Sequence, residues 1–78
     1  MAYHYTAHMR QRMKQRGVTR ADVEHALTHL DAPPESTPEN SVKYIGRSVD
    51  GRLLKIWIVE PGVTALRPIL KSTAWKGA

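Results

Sequence analysis

Within the stretch AHMRQRMKQRGVT, residues 7–19, His8 and Arg12 stand four apart. On a helix that spacing makes them neighbours along one edge. A neutral imidazole there is a general base near pH 7. A guanidinium beside it holds a phosphate and stabilises a developing negative charge. The same spacing also suits two side chains that only border a core, stems packed and heads in water. The setting is strongly basic, because residues 1–21 carry five Lys or Arg and no carboxylate.

The elements that position these groups can be read from the pattern. Residues 2–6, AYHYT, suit a short strand, and residues 7–16 suit a helix. On that helix Met9 and Met13 share the apolar face, with Arg12 and Arg16 beside them and His8 just beyond. Gly17 suits the left-handed C-terminal cap. Thr19 then caps a second helix, TRADVEHALTHL, with Asp22 in the capping-box position and Val23, Ala26, Leu27 and Leu30 as the apolar stripe. Residues 31–41 hold three prolines and three acids and are expected to form a mobile loop. Beyond it the period changes to two. SVKYIGRS, an Asp-Gly turn and RLLKIWIVE predict a β-hairpin. After the turn EPGVT, ALRPILKSTAWK predicts a third strand, with Pro68 marking a bulge or an edge position. The expected fold is α+β: two helices on one face of a three- to four-stranded antiparallel sheet, in one domain spanning residues 1–78.

Strand parity sorts the remaining candidates. Leu54, Ile56 and Ile58 face the helices. With Leu70, Ser72 and Ala74 on that side, the open face gathers Lys43, Arg47, Lys55, Trp57, Lys71, Thr73 and Trp75. Cations interleaved with indoles suit single-stranded nucleic acid: the cations neutralise phosphates, and each stacked base contributes about 1–3 kcal/mol. A merely solvated sheet face also carries Lys, Arg and Thr. Two exposed tryptophans are less ordinary there, and they also suit a homodimer or a bound partner segment.

Composition narrows the classes. Twelve Lys and Arg against seven acids give a net charge of +5, which favours polyanionic partners. Without cysteine there are no disulfides and no thiolate metal sites. His25 and His29 are expected to point into solvent, and no cysteine or carboxylate pair joins the four histidines at a zinc-like spacing, so no metal and no cofactor are expected. No apolar run reaches the roughly 20 residues that span a bilayer, and no signal-peptide core opens the chain. A soluble, cytoplasmic protein without membrane contact is the expectation.

The residues from His8 to Val23, H-x-x-x-R-M-x-x-R-G-V-T-x-x-D-V, with GRLLKIWIVE and the closing STAW, resemble a family of small bacterial proteins catalogued as a domain of unknown function. That family is placed near the RelE, ParE and BrnT toxins. The resemblance implies a RelE-like fold and the toxin of a type II toxin–antitoxin pair. Its activity would be endoribonucleolytic and metal-independent, with a base helping the ribose 2′-oxygen attack the adjacent phosphate. It implies His8, Arg12 and Thr73 as catalytic residues, with Arg16 in support. Strand parity adds Lys43, Lys55, Arg67 and Lys71 as phosphate contacts and Trp57 and Trp75 as stacking or antitoxin contacts. The implied partners are RNA, including ribosome-bound mRNA, and an antitoxin with an acidic segment. The alternatives are a non-enzymatic nucleic-acid- or protein-binding module and a ParE-like topoisomerase inhibitor.

Overall fold

The computed structural model describes residues 3–77. Ala2, the first residue of the expected N-terminal strand, lies outside them. The chain runs β1 (His4–Tyr5), α1 (Ala7–Arg16), α2 (Arg20–Thr28), β2 (Glu35–Thr37), β3 (Ser41–Arg47), β4 (Leu53–Val59), a 3-10 turn (Gly62–Thr64) and β5 (Ile69–Trp75). The strands form one sheet in the order β1-β5-β4-β3-β2. The α+β class stands. The expected count and direction do not: the sheet has five strands and is mixed, because β1 pairs parallel to β5 while every other pair is antiparallel.

Both helices take the lengths that their caps dictate. Gly17 closes α1 at φ 66°, with its N–H on the Met13 carbonyl. Thr19 and Asp22 complete a capping box for α2. Three expected features shift. The helix ends at Thr28, so Val23 and Ala26 are buried while Leu30, beyond the end, is largely exposed. His25 is tied to the sheet and does not point freely into solvent: its Nδ1 lies 2.8 Å from the Arg47 carbonyl, and its ring stacks on His29 at 3.9 Å. Residues 31–41 are not a free loop. The Asp31 N–H donates to the Ile45 carbonyl, the Arg47 N–H donates to the His29 carbonyl, and β2 continues along the same edge of β3. Pro33 and Pro34 lack the N–H that would make this run one continuous strand.

Met9, Val23, Ala26, Leu54, Ile56, Ile58 and Leu70 are fully buried between the helices and the sheet, with Met13, Val18 and Tyr44 nearly so. Gly46 is required where α2 crosses β3. A Cβ there would stand 2.0 Å from the Ala26 carbonyl oxygen. At the hairpin, buried Ser48 donates its hydroxyl to Asp50, which also accepts from the Arg52 guanidinium. The Ser48 bond, ahead of Arg52, holds the Asp50 carboxyl below the usual aspartate range.

Two outcomes follow. Gly46→Ala should cost on the order of 1–3 kcal/mol in denaturant unfolding, as helix and strand are forced apart. Asp50 is more acidic folded than unfolded, so its contribution is present above the ordinary aspartate pKa and is lost as pH falls through the folded value. Melting of the wild type should therefore fall more steeply than that of Asp50→Asn below about pH 4.

Candidate functional site

Helix α1 is tied to β5 at both ends. At its start the Thr6 hydroxyl accepts from the Met9 N–H at 3.1 Å and donates to the Leu70 carbonyl at 3.0 Å. At its end the Trp75 indole N–H donates to the Arg16 carbonyl at 2.7 Å, and the Arg16 guanidinium donates to the Thr73 carbonyl. Among the described residues β1 pairs with Ile69 and Leu70 alone, so Arg16 covers the edge of β5 beyond that pairing. These ties lay the row His8, Arg12, Arg16 along β5.

Across the edge, β5 carries a register shift. Trp57 pairs with Ser72 and Ile58 with Leu70, which leaves Lys71 as an extra residue without a partner on β4. Such a bulge reverses parity for the rest of the strand. Leu70, Thr73 and Trp75 therefore face the helices, while Ser72 and Ala74 join Lys43, Lys55 and Trp57 on the open face.

The row and the open face meet in a groove of about 380 Å³. It is lined by His8, Arg12 and Arg16 from α1, Trp57 from β4 and Lys71 and Ser72 from β5, with Glu39 on the far wall. The Arg12 Nε donates to the His8 Nε2 at 3.3 Å, and its Nη1 donates to Gln15 at 3.0 Å. Arginine only donates, so this bond is one that the neutral imidazole can accept. Lys71 donates its Nζ to the Glu39 carbonyl at 3.3 Å, which ties the β2–β3 turn across the groove. The described ion pairs are Lys43–Glu35, Arg47–Asp31 and Arg52–Asp50, all away from this row. Among the described residues, Arg12, Arg16 and Lys71 make no ion pair.

Five of the expected residues thus come together: His8, Arg12, Arg16, Trp57 and Lys71. Lys43 and Lys55 share Trp57's face outside the groove lining. Lys43 is paired to Glu35 at 3.3 Å, and the Lys55 ammonium lies 5.7 Å from the Trp57 ring. Arg67 lines a different groove. Two placements are overturned by the bulge. Thr73 is fully buried on the helix side, its hydroxyl donating to the Lys55 carbonyl at 2.7 Å. Trp75 packs against the core, with the Arg52 guanidinium 3.8 Å from its ring centre. Glu39 and Ser72 were not singled out from the sequence. Glu39 lies in a stretch of loop composition, and unbroken alternation along β5 would put Ser72 on the helix side. Among the described residues, no three His, Asp or Glu side chains gather as a metal site, and no helix is long and apolar enough to cross a membrane.

The chain belongs to the family described as Domain of unknown function (DUF4258), which matches residues 5–65. No curated protein and no solved structure matches it.

The placement of the two indoles gives a direct expectation. A single-stranded RNA seated in this groove would change Trp57 emission, a change that Trp75→Phe would retain and Trp57→Phe would remove. Trp57→Ala should weaken binding by about 1–3 kcal/mol, the range for one stacked base.

Proposed function

We propose that this DUF4258 protein is a RelE-like endoribonuclease, the toxin of a toxin–antitoxin pair, and that it cuts RNA in the groove between α1 and β5. The observation that carries the reading is the convergence of His8, Arg12, Arg16 and Lys71 beside Trp57. RNA needs a base near the ribose, cations at the phosphate and a flat surface for an unpaired base. The groove offers the base and two cations from α1, a third cation from β5 and the flat surface from β4.

The steps use side chains that line this one groove. A base stacks on Trp57, and the adjacent phosphate enters between Arg12, Arg16 and Lys71. Arg12 turns its guanidinium from His8 to the phosphate, which frees the imidazole Nε2. His8 takes the 2′-hydroxyl proton as the 2′-oxygen bonds to phosphorus. The bond from phosphorus to the 5′-oxygen breaks, and that oxygen takes a proton from the Lys71 ammonium. The products are a 2′,3′-cyclic phosphate and a 5′-hydroxyl end. Arg12 and Arg16 stabilise the added charge on the phosphorane, the step at which preorganised donors contribute most.

Cleavage of a labelled RNA by the wild type, His8→Ala and Glu39→Gln, beside the same RNA with one 2′-deoxyribose at the cut site, tests this. His8→Ala should slow cleavage by about 10²–10⁴-fold, and the deoxyribose should abolish the cut. Loss of cleavage in Glu39→Gln with activity retained in His8→Ala would move the base to Glu39. Binding with a steep salt dependence and no turnover would leave a nucleic-acid-binding module.

A further inference from the structure

On the other flank of α1 lies a second groove, of about 350 Å³. Its walls are Tyr3, His4, Tyr5, Arg10, Arg20 and Arg67, over a floor of Met13. On the helix, Arg10 lies on one side of the buried Met9 and Met13 pair, and the row from His8 to Arg16 lies on the other. The two grooves are therefore separate, with α1 between them.

Among the described residues, three guanidiniums line this groove and no carboxylate does. Glu24 stays at its margin, 3.5 Å from the Tyr5 hydroxyl. Among the described residues, Arg10 and Arg67 make no ion pair and no side-chain hydrogen bond. The Arg20 guanidinium lies 4.6 Å from the centre of the Tyr5 ring, which fixes that side chain beside the opening. Burial raises both phenols above the usual tyrosine range, and the Tyr5 hydroxyl already donates to Glu24, which leaves the guanidiniums as the donors open to a ligand. The lining is thus a set of donors with excess positive charge and aromatic walls.

A phosphodiester inside a strand carries one negative charge. A phosphate monoester carries about −1.5 to −2 at pH 7 and three acceptor oxygens. Three guanidiniums fit the monoester, and the volume lies in the range of small-ligand sites, about 300–1,000 Å³. We propose that this groove binds a phosphate monoester on a nucleoside, either a free nucleotide or the 5′-phosphorylated end of an RNA strand. The proposal stands whether or not the groove on the other side of α1 cleaves RNA.

The test titrates the full chain with adenosine 5′-monophosphate and with one short 2′-O-methyl RNA in 5′-phosphorylated and 5′-hydroxyl forms. The methyl groups prevent 2′-oxygen attack, so binding is read alone. The phosphorylated oligonucleotide should bind about tenfold more tightly, the equivalent of one charge-assisted hydrogen bond. Arg10→Ala and Arg67→Ala should each remove most of that difference. Both side chains are on the surface, and a melt confirms that the variants fold. Binding of the mononucleotide that depends on the same arginines assigns a free nucleotide as the ligand. Arginine-dependent preference for the phosphorylated strand, with no mononucleotide binding, assigns the RNA end. Equal affinity for the two strands without mononucleotide binding overturns the proposal. So does an equal loss for both forms in the variants, which would mean only a diffuse positive field.

Discussion

One extra residue in β5 sets both faces of the sheet. Leu70 must be buried under α1, and Trp75 must reach the last carbonyl of that helix. In a regular strand two residues separated by an odd number of steps face opposite sides. The bulge at Lys71 resolves this by inserting one residue between them. It turns Thr73 and Trp75 inward and places Ser72 and Ala74 beside Trp57. Without it α1 would lose its second anchor, and the groove would have a different floor.

The second constraint is electrostatic. Helix α1 has no acid of its own, so its cations repel one another and nothing within the helix offsets that. Its stability comes from outside: Met9 and Met13 in the core, Thr6 on Leu70 at the start, Arg16 and Trp75 crossed at the end. Three carboxylates, Glu35, Asp31 and Asp50, are paired with Lys43, Arg47 and Arg52 along the hairpin side, and Glu39 and Glu24 stand across the grooves from the helix and not on it. This separation leaves a positive ridge with a groove on each flank. A polyanion would relieve the repulsion that the fold tolerates.

Local rules made much of this legible from residues alone. Gly17, the Thr19–Asp22 box and the Asp-Gly hairpin are short-range signals, and each appears where its chemistry requires it. The parity of β3 and β4 was legible because both strands alternate without a break. The row His8, Arg12, Arg16 was legible from helical spacing. Three features were not. Lys71 carries no mark of a bulge, since only the demands of Leu70 and Trp75 on either side create it; Pro68, the visible signal, precedes the strand. The segment from Asp31 to Ser41 has loop composition, and its pairing depends on backbone bonds to β3 that any residue with an N–H could make. The parallel pairing of β1 with β5 joins the two ends of the chain, which no local pattern encodes.

The central claim is that this helix edge and sheet face together destroy RNA. Induced expression in a bacterial host, following growth and total RNA together, addresses it most directly, with His8→Ala beside the wild type at equal protein level. The account predicts growth arrest with fragmented RNA for the wild type, and normal growth with intact RNA for the variant. Normal growth and intact RNA in cells full of soluble wild-type protein would contradict it.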